Sequence, residues 1–461
     1  MQNSTVAIAG GGLAGLAAGC ALADAGFRVT VFERRPFLGG RASSYQHPGT
    51  GEIVDNCQHV LLGCCTNLID FYRRTGVQNR IRWYDNLTFL EPGGRASVIG
   101  PSALPAPLHT APAFLRAACL DLSDKLSISR AMMALSPALP PDRGQSFLDW
   151  LHQHGQTPQA IERFWKTILV SALNEDLDRV SVPYAAQVVR ESFLKSAAAG
   201  RMGVPTVPLT ELYSAAGEYI RARGGEIRFR AGVESFEAHT AGVAVAANEE
   251  RLNFDYLLLA VPFDGIARLL PDTPEAAPLA ARLGHFTTSP ITGIHLWFDR
   301  EISDLDHAVL LDRTIQWMFH KSRLIEGREK GSGSYVELVV SCSRTLIEKS
   351  KTEIVEMAVR EAQEFFPEAR AAKLVKSTVI KEVNATYSPG PGMDQHRPGS
   401  STAWPRIFLA GDWTATGWPA TMEGAVRSGY LAAEALSAAA KLNGKFLVPD
   451  LPGSGLMRLF S

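Results

Sequence analysis

The chain has 461 residues, 46% of them hydrophobic and 20% charged, which is length for about three domains in a composition that excludes a disordered or polytopic chain. Its formal net charge of -1, from 46 basic and 47 acidic side chains, excludes the basic footprint of a nucleic-acid partner. Six unevenly spread cysteines do not read as a disulfide framework. No apolar run reaches the ~20 residues of a membrane-spanning helix, and no secretory pattern precedes the first strand, so a cytoplasmic location is expected, with contact at the inner face of a membrane left open.

Taken in chain order, TVAIA (5–9) predicts a buried strand, Leu13 to Ala25 a helix of small residues ended by Gly26, and FRVTVFE (27–33) a second strand. Between the first strand and the helix, Gly10, Gly12 and Gly15 form G-x-G-x-x-G, and Glu33 closes the second strand. In this βαβ setting the glycines admit a pyrophosphate to the helix N-terminus and Glu33 accepts hydrogen bonds from a ribose diol; an acid there argues against a 2′-phosphate. Arg34 follows Glu33, and Gly39-Gly40-Arg41 offers further amides and a guanidinium to the same diphosphate.

Next comes VDNCQHVLLGCCTNLIDFYRR (54–74), with three cysteines and a histidine. No metal is expected: structural zinc sites pair C-x₂₋₄-C, and adjacent cysteines chelate poorly. Cys64 and Cys65 read as small residues packed at a helix N-terminus. Cys57, Gln58 and His59 read as facing a cofactor.

Residues 101–145 form a Pro- and Ala-rich excursion, Ser146 with Asp149 predicts a helix N-cap, and Ile161, Phe164, Trp165, Ile168, Leu169, Ala172 and Leu173 follow the spacing of one apolar helix face. After GRMGVPTVPL comes a helix carrying Leu212, Ala216 and Ile220, then the strands EIRFRAGVESF and FDYLLLAVP. ITGIHLWFDR, RTIQWMFHK and SYVELVVSCS alternate like strands of a second sheet. RIFLAGDWTATGWPATMEGAVRSGYLAAEALSAAA reads as a strand, a loop and a long helix. It places Asp412 past a strand end, where it can hold polyol hydroxyls, and Met422 at a helix N-terminus whose dipole favours negative charge. The expected class is α/β, α+β overall. A Rossmann-like domain is written in segments 1–84, 204–270 and 386–440, interleaved with a substrate domain of helices (85–203) and sheet (271–385) and followed by a tail, 441–461.

GGGLAG, the E…GGR segment and the AGD…PATMEGAVRSG block resemble the FAD-containing amine oxidase and carotenoid desaturase superfamily, the last block in its phytoene desaturase form. More narrowly, DNCQHVLLGCCTNLIDFYRR, GRMGVPTVPLTELY and the C-terminal block are similar to the squalene-associated FAD-dependent desaturases, the hydroxysqualene dehydroxylases, over residues 5 to about 438. One departure stands out: where many relatives have D-x-G beside the flavin, this chain has Asp55-Asn56-Cys57.

The resemblance implies FAD, with Gly10, Gly12, Gly15, Glu33, Arg34, Gly40 and Arg41 at its ADP half, the Val233 backbone at adenine, and Gln58, Asp412 and Met422 toward the ribityl chain and ring. It implies reductive loss of the hydroxyl of hydroxysqualene, a C30 isoprenoid, to give squalene. Hydroxide leaves only if protonated, and His59 with Asp55 as its orienter is the expected acid. Trp297, Trp317 and Phe319 are expected to line an apolar tunnel. The substrate is insoluble, so 101–120, 197–205 and 455–460 are expected at a membrane surface. No second dinucleotide motif identifies the electron donor, NADPH or a separate reductase. A phytoene-type desaturase moving hydride the other way, and a non-catalytic prenyl-binding escort on the same fold, are the alternatives; an amine oxidase fits PATM less well.

Overall fold

Five strands, Glu226–Phe229 at one edge and the mostly buried Arg28–Glu33, Thr5–Ala9, Tyr256–Leu259 and Ile407–Leu409, lie side by side in that order, all parallel, in the computed structural model, which describes residues 4–327 and 333–460. Their near-continuous apolar runs suit a sheet covered on both faces. One cover is the helix Leu13–Asp24, buried from Leu13 to Ala23, and behind it lies the helix Met422–Ala439. Small residues let these helices touch: a β-carbon on Gly429 would stand 2.3 Å from the Ala14 carbonyl oxygen. The other face carries the three-stranded meander Val233–Ala238, Val243–Ala247, Glu250–Phe254.

A second, seven-stranded sheet runs Leu374–Tyr387, Thr288–Phe298, Ser334–Ser341, Trp317–His320, His307–Leu310, Leu87–Leu90, Ala96–Ile99; only the pair His307–Leu310 with Leu87–Leu90 is parallel. On one face Val336, Leu338 and Val340 pack with Ile354, Ala358 and Phe365 of the helix Lys351–Phe365. A bundle of helices from residues 111 to 194 packs around Phe147, Trp165 and Leu169. The class is mixed α/β, as the sequence implies.

Three local readings change. EIRFRAGVESF is two strands in different sheets, because Arg230 takes a left-handed φ of 54° and turns the chain between them. The helix read over 161–173 is continuous but widens into a π-turn at Ile161–Lys166 before regular helix resumes at Thr167–Leu173. Of the stretch 197–205, expected at a membrane surface, Ala198 and Arg201 are exposed, but Met202–Pro205 is a buried strand held between Leu61–Leu62 and Ile81–Tyr84. Ser146 caps its helix as predicted, its hydroxyl accepting from the Asp149 amide at 3.1 Å.

Candidate functional site

The carboxyl ends of the parallel strands open into a cleft of about 600 Å³, within the range of ligand cavities (~300–1,000 Å³). The second sheet closes it from the far side through Ile291, Glu382 and Ala385, and the helical bundle through Ser171 and Ala172. It lies where open α/β sheets bind their ligands.

Its floor is a backbone cradle. Gly10 has φ 113° and sits under Ala260, whose oxygen would be 2.7 Å from any β-carbon added there. Gly12 starts the helix and faces open space, with Gly40 Cα its nearest neighbour at 3.8 Å from an added β-carbon. The Gly39–Arg41 turn pairs with this loop: the Gly39 amide donates to the Gly11 carbonyl at 2.9 Å, and Gly12 and Gly39 form a parallel bridge. Side chains at Gly12 and Gly40 would fill the gap a diphosphate needs. Gly15 does not line the cleft; its α-carbon packs on the first loop, so close that a β-carbon would stand 2.0 Å from the Gly10 oxygen.

Glu33 faces the cleft with its carboxylate held by two amides, Gly11 and Arg35, each at 2.8 Å. Arg34, Gly232 and Val233 form the adjoining wall. Arg41 and Asp412 both line the cleft and pair with each other at 2.8 Å, while Arg41 also donates to the Ala385 carbonyl at 2.6 Å. Met422 opens its helix behind Thr421, whose hydroxyl caps the Gly424 amide at 3.0 Å, and Tyr213 donates to its sulfur at 3.3 Å. Glu423 turns away from the cleft and accepts from the Asn67 and Leu68 amides at 3.2 and 2.8 Å, capping the helix Thr66–Arg74 in place of Cys65, whose side chain makes no capping bond.

Cys57, Gln58 and His59 line the cleft opposite this helix end. His59 Nδ1 lies 2.9 Å from the Cys57 carbonyl oxygen. A carbonyl only accepts, so Nδ1 carries the proton, and the neutral ring presents Nε2 as an acceptor. Burial lowers the His59 pKa below the ordinary histidine value and keeps the ring neutral. The expected partner is absent: Asp55 does not line the cleft and does not orient His59. Its carboxylate takes Lys321 Nζ at 2.5 Å, the Ser44 hydroxyl at 2.6 Å and the Leu209 amide at 3.2 Å. Burial opposes that charge, but Lys321, Ser44 and Leu209 outweigh it and hold the carboxyl below its usual range.

The aromatic residues expected in a tunnel are packed instead. Trp297 stacks on Tyr335 at 4.3 Å, and Phe319 on Trp317 at 5.6 Å; none of the three expected residues lines the cleft, though Trp317 donates to the lining Ser171 at 2.7 Å. Sequence reasoning missed Asn56, which bridges Arg41 O and Glu382 Oε2 at 3.0 and 2.9 Å, and Lys321 behind Gln58.

The chain matches the family model described as flavin containing amine oxidoreductase over residues 13–437. It is 28% identical to a 15-cis-phytoene desaturase of Synechococcus elongatus, the alignment covering 94% of this chain and 96% of that protein, and 28% identical to a probable zeta-carotene desaturase of the same organism, covering 94% and 98%. Among solved structures it superposes on an oxidoreductase from Methanosarcina mazei with a TM-score of 0.71 at 18% identity, over 92% of this chain and 98% of that one. It superposes on putrescine oxidase bound to putrescine with a TM-score of 0.70 at 16%, over 95% and 98%. FAD is the cofactor, and the glycine cradle and Glu33 suit its ADP half. With the family model spanning nearly the whole chain, this protein belongs to the flavin-containing amine oxidoreductase family and is an FAD-dependent oxidoreductase.

Proposed function

We propose that the chain moves hydride between FAD and a long isoprenoid hydrocarbon, and that the reaction is the reductive dehydroxylation of hydroxysqualene to squalene. The observation carrying this reading is the segment DNCQHVLLGCCTNLIDFYRR (55–74), which resembles the hydroxysqualene dehydroxylases and whose Cys57, Gln58 and His59 line the cleft. Gly10, Gly12, Glu33, Arg34, Gly40, Arg41 and Val233 would hold the ADP half of FAD, with Gly15 packing the first loop beneath it; Asp412, Gln58 and Met422 would lie toward its ring. Bound FAD supplies the hydride chemistry. The chain supplies an apolar wall from Val60, Ala172 and Ile291 for the hydrocarbon.

A second reading, phytoene-type desaturation, is favoured by the names of the curated relatives and by the state of His59. Desaturation requires a proton acceptor, which neutral His59 offers at Nε2. Dehydroxylation requires a donor, which His59 becomes only after taking up a proton. Incubating the reduced protein with hydroxysqualene and the oxidised protein with phytoene, each without oxygen, and identifying the products separates the two. Squalene from the first supports dehydroxylation, and a new conjugated double bond from the second supports desaturation.

No described helix is long and apolar enough to cross a membrane. Delivery of so insoluble a substrate at a membrane surface is part of the proposal. Leu104, Leu108 and Leu115 are exposed, as are Leu122, Leu126 and Met133 of the helix Leu122–Leu135 and Leu456 and Leu459 of the tail; the Leu456 amide bonds the Ala106 carbonyl at 2.9 Å, joining tail and excursion. Replacing Leu115, Leu122 and Leu459 by serine should abolish flotation with anionic liposomes; undiminished flotation removes this surface.

A further inference from the structure

Glu337 is the one fully buried carboxylate of the strand Ser334–Ser341, and neither of its oxygens has a hydrogen-bond partner among the described residues. It lies on the sheet face opposite the Val336–Leu338–Val340 core, the face that Tyr335 and Val339 share and that the 54–60 segment covers. Lys321 Nζ is 3.6 Å away, but the same ammonium is bound to Asp55 at 2.5 Å and to Gln58 Oε1 at 2.8 Å. Gln58 lines the FAD cleft; Glu337 and Lys321 do not.

One ammonium cannot neutralise two buried carboxylates. Asp55 holds three donors and is the charged one. A second charge here would have only the Gln58 backbone and an ammonium 3.6 Å away that is already committed to Asp55, with no exposure to water, and desolvation outweighs them, so Glu337 is the member that keeps its proton. The surroundings agree. His295, its cross-strand partner, is pushed down to about 3 by burial and by Lys321, and is neutral. The partner on the other side is Phe319. Burial pushes the Cys57 thiol up, leaving it uncharged, and His47 lies beyond Thr378, bonded to its hydroxyl at 2.9 Å. Burial, opposed by Lys321 and the Gln58 backbone and aided by Asp55, pushes the Glu337 carboxyl up to about 8.

We propose that Glu337 and Lys321 are positioning residues for the FAD side of the cleft: protonated Glu337 leaves the Lys321 ammonium to Asp55 and Gln58, and loss of that proton to solvent draws Lys321 toward Glu337 and releases Gln58 into the cleft. No bond other than the carboxyl O–H is broken and no electron moves. The inference rests on the assignment of the cleft to FAD and not on the choice of isoprenoid.

The test uses the FAD-loaded protein without substrate, so its outcome is separate from product identity. Flavin absorbance and fluorescence are recorded from pH 6 to 10 for the wild type, Glu337→Gln and Glu337→Met, with melting temperature at pH 7 as the control for folding. The wild type is expected to show a one-proton spectral transition with a midpoint near pH 8. Both variants, if folded, should lose it while keeping the pH 7 spectrum. Met is close to Glu in length and needs no hydrogen bond, which keeps the test open if the amide of Gln destabilises the site. A wild type without the transition, or a folded variant that retains it, overturns the proposal.

Discussion

The sulfur of Cys57 lies 3.1 Å from where a β-carbon on Gly293 would stand. Cys57 has a left-handed φ of 62°, a conformation that costs a non-glycine residue about 1–2 kcal/mol. Cys57 holds a backbone conformation that favours glycine while carrying a thiol, and the strand opposite offers glycine at Gly293, which admits it. Strain of this kind persists where surrounding structure fixes it, and here it aims Gln58 and His59 at the cleft.

Two substitutions test that relationship. Gly293→Ala should destabilise by about 1–3 kcal/mol through overpacking against Cys57. Cys57→Gly alone should be nearly neutral, since relief of the left-handed strain offsets the lost burial. The double variant should recover most of the loss of Gly293→Ala, a coupling read from chemical denaturation of all four proteins. Additive effects would show that the contact does not govern the site.

The Arg41–Asp412 pair spans the cleft between the second glycine turn and the last strand. Arg41→Ala leaves Asp412 buried without its cation and removes a guanidinium from the diphosphate side. Hydrogen bonds to charged groups contribute about 1.5–3 kcal/mol each, so FAD dissociation should rise about tenfold or more, measured by flavin fluorescence on titrating the apoprotein. Unchanged affinity would move the diphosphate away from Arg41.

The parts of this site legible in the sequence are those made by local chain geometry. Gly10, Gly12, Gly15 and Glu33 announce themselves because a strand, a glycine turn and a helix are consecutive, and Met422 because its helix start is written in one block. Glu337 and Lys321 were not legible. In SYVELVVS the alternation puts Glu337 on the face a solvated residue would occupy, and only the fold brings the 54–60 segment over it. The pairing expected of Asp55 and His59 failed for the same reason. They are near in sequence, but a lysine from a distant helix takes the carboxylate first.

His59 separates the two reactions by the sign of their pH dependence. Burial holds its pKa below the ordinary ~6.5, so the charged form grows only as pH falls below that value. If His59 donates the proton that lets hydroxide leave, turnover of hydroxysqualene should rise toward acid pH; if it accepts a proton in desaturation, turnover should fall there. His59→Ala should bind FAD normally and lower turnover by about 10²–10⁴-fold in either case. Wild-type turnover would place the proton transfer elsewhere.

Stability should also fall with acid. Burial pushes His295 down to about 3, aided by Lys321, and His307 down to about 4. For each, the unfolded chain binds the proton near ~6.5 and the folded chain resists it, so stability is intact above ~6.5 and is lost as pH falls through the window to the folded value. His307 packs edge-on against Tyr84 at 4.5 Å, and phenylalanine suits that aromatic contact. His307→Phe should therefore show a shallower drop in melting temperature between pH 7 and pH 5 than the wild type. Equal slopes would mean that this ring titrates alike in both states.

The Lys321–Asp55 pair ties the flavin-side segment to the second sheet, with both side chains almost wholly buried. Removing one partner of such a pair strands the other charge, a loss of about 3–5 kcal/mol. Lys321→Met should show that loss by denaturation, and Lys321→Met with Asp55→Asn should regain part of it, since the amide still accepts from Ser44 and Leu209 at one oxygen. Flavin retention separates anchoring from mere stability. If the double variant regains its fold but Gln58 has lost its cation, FAD should be held while its spectrum shifts from the wild type's at pH 7. A double variant with the wild-type spectrum would show that Lys321 serves only to hold the two sheets together.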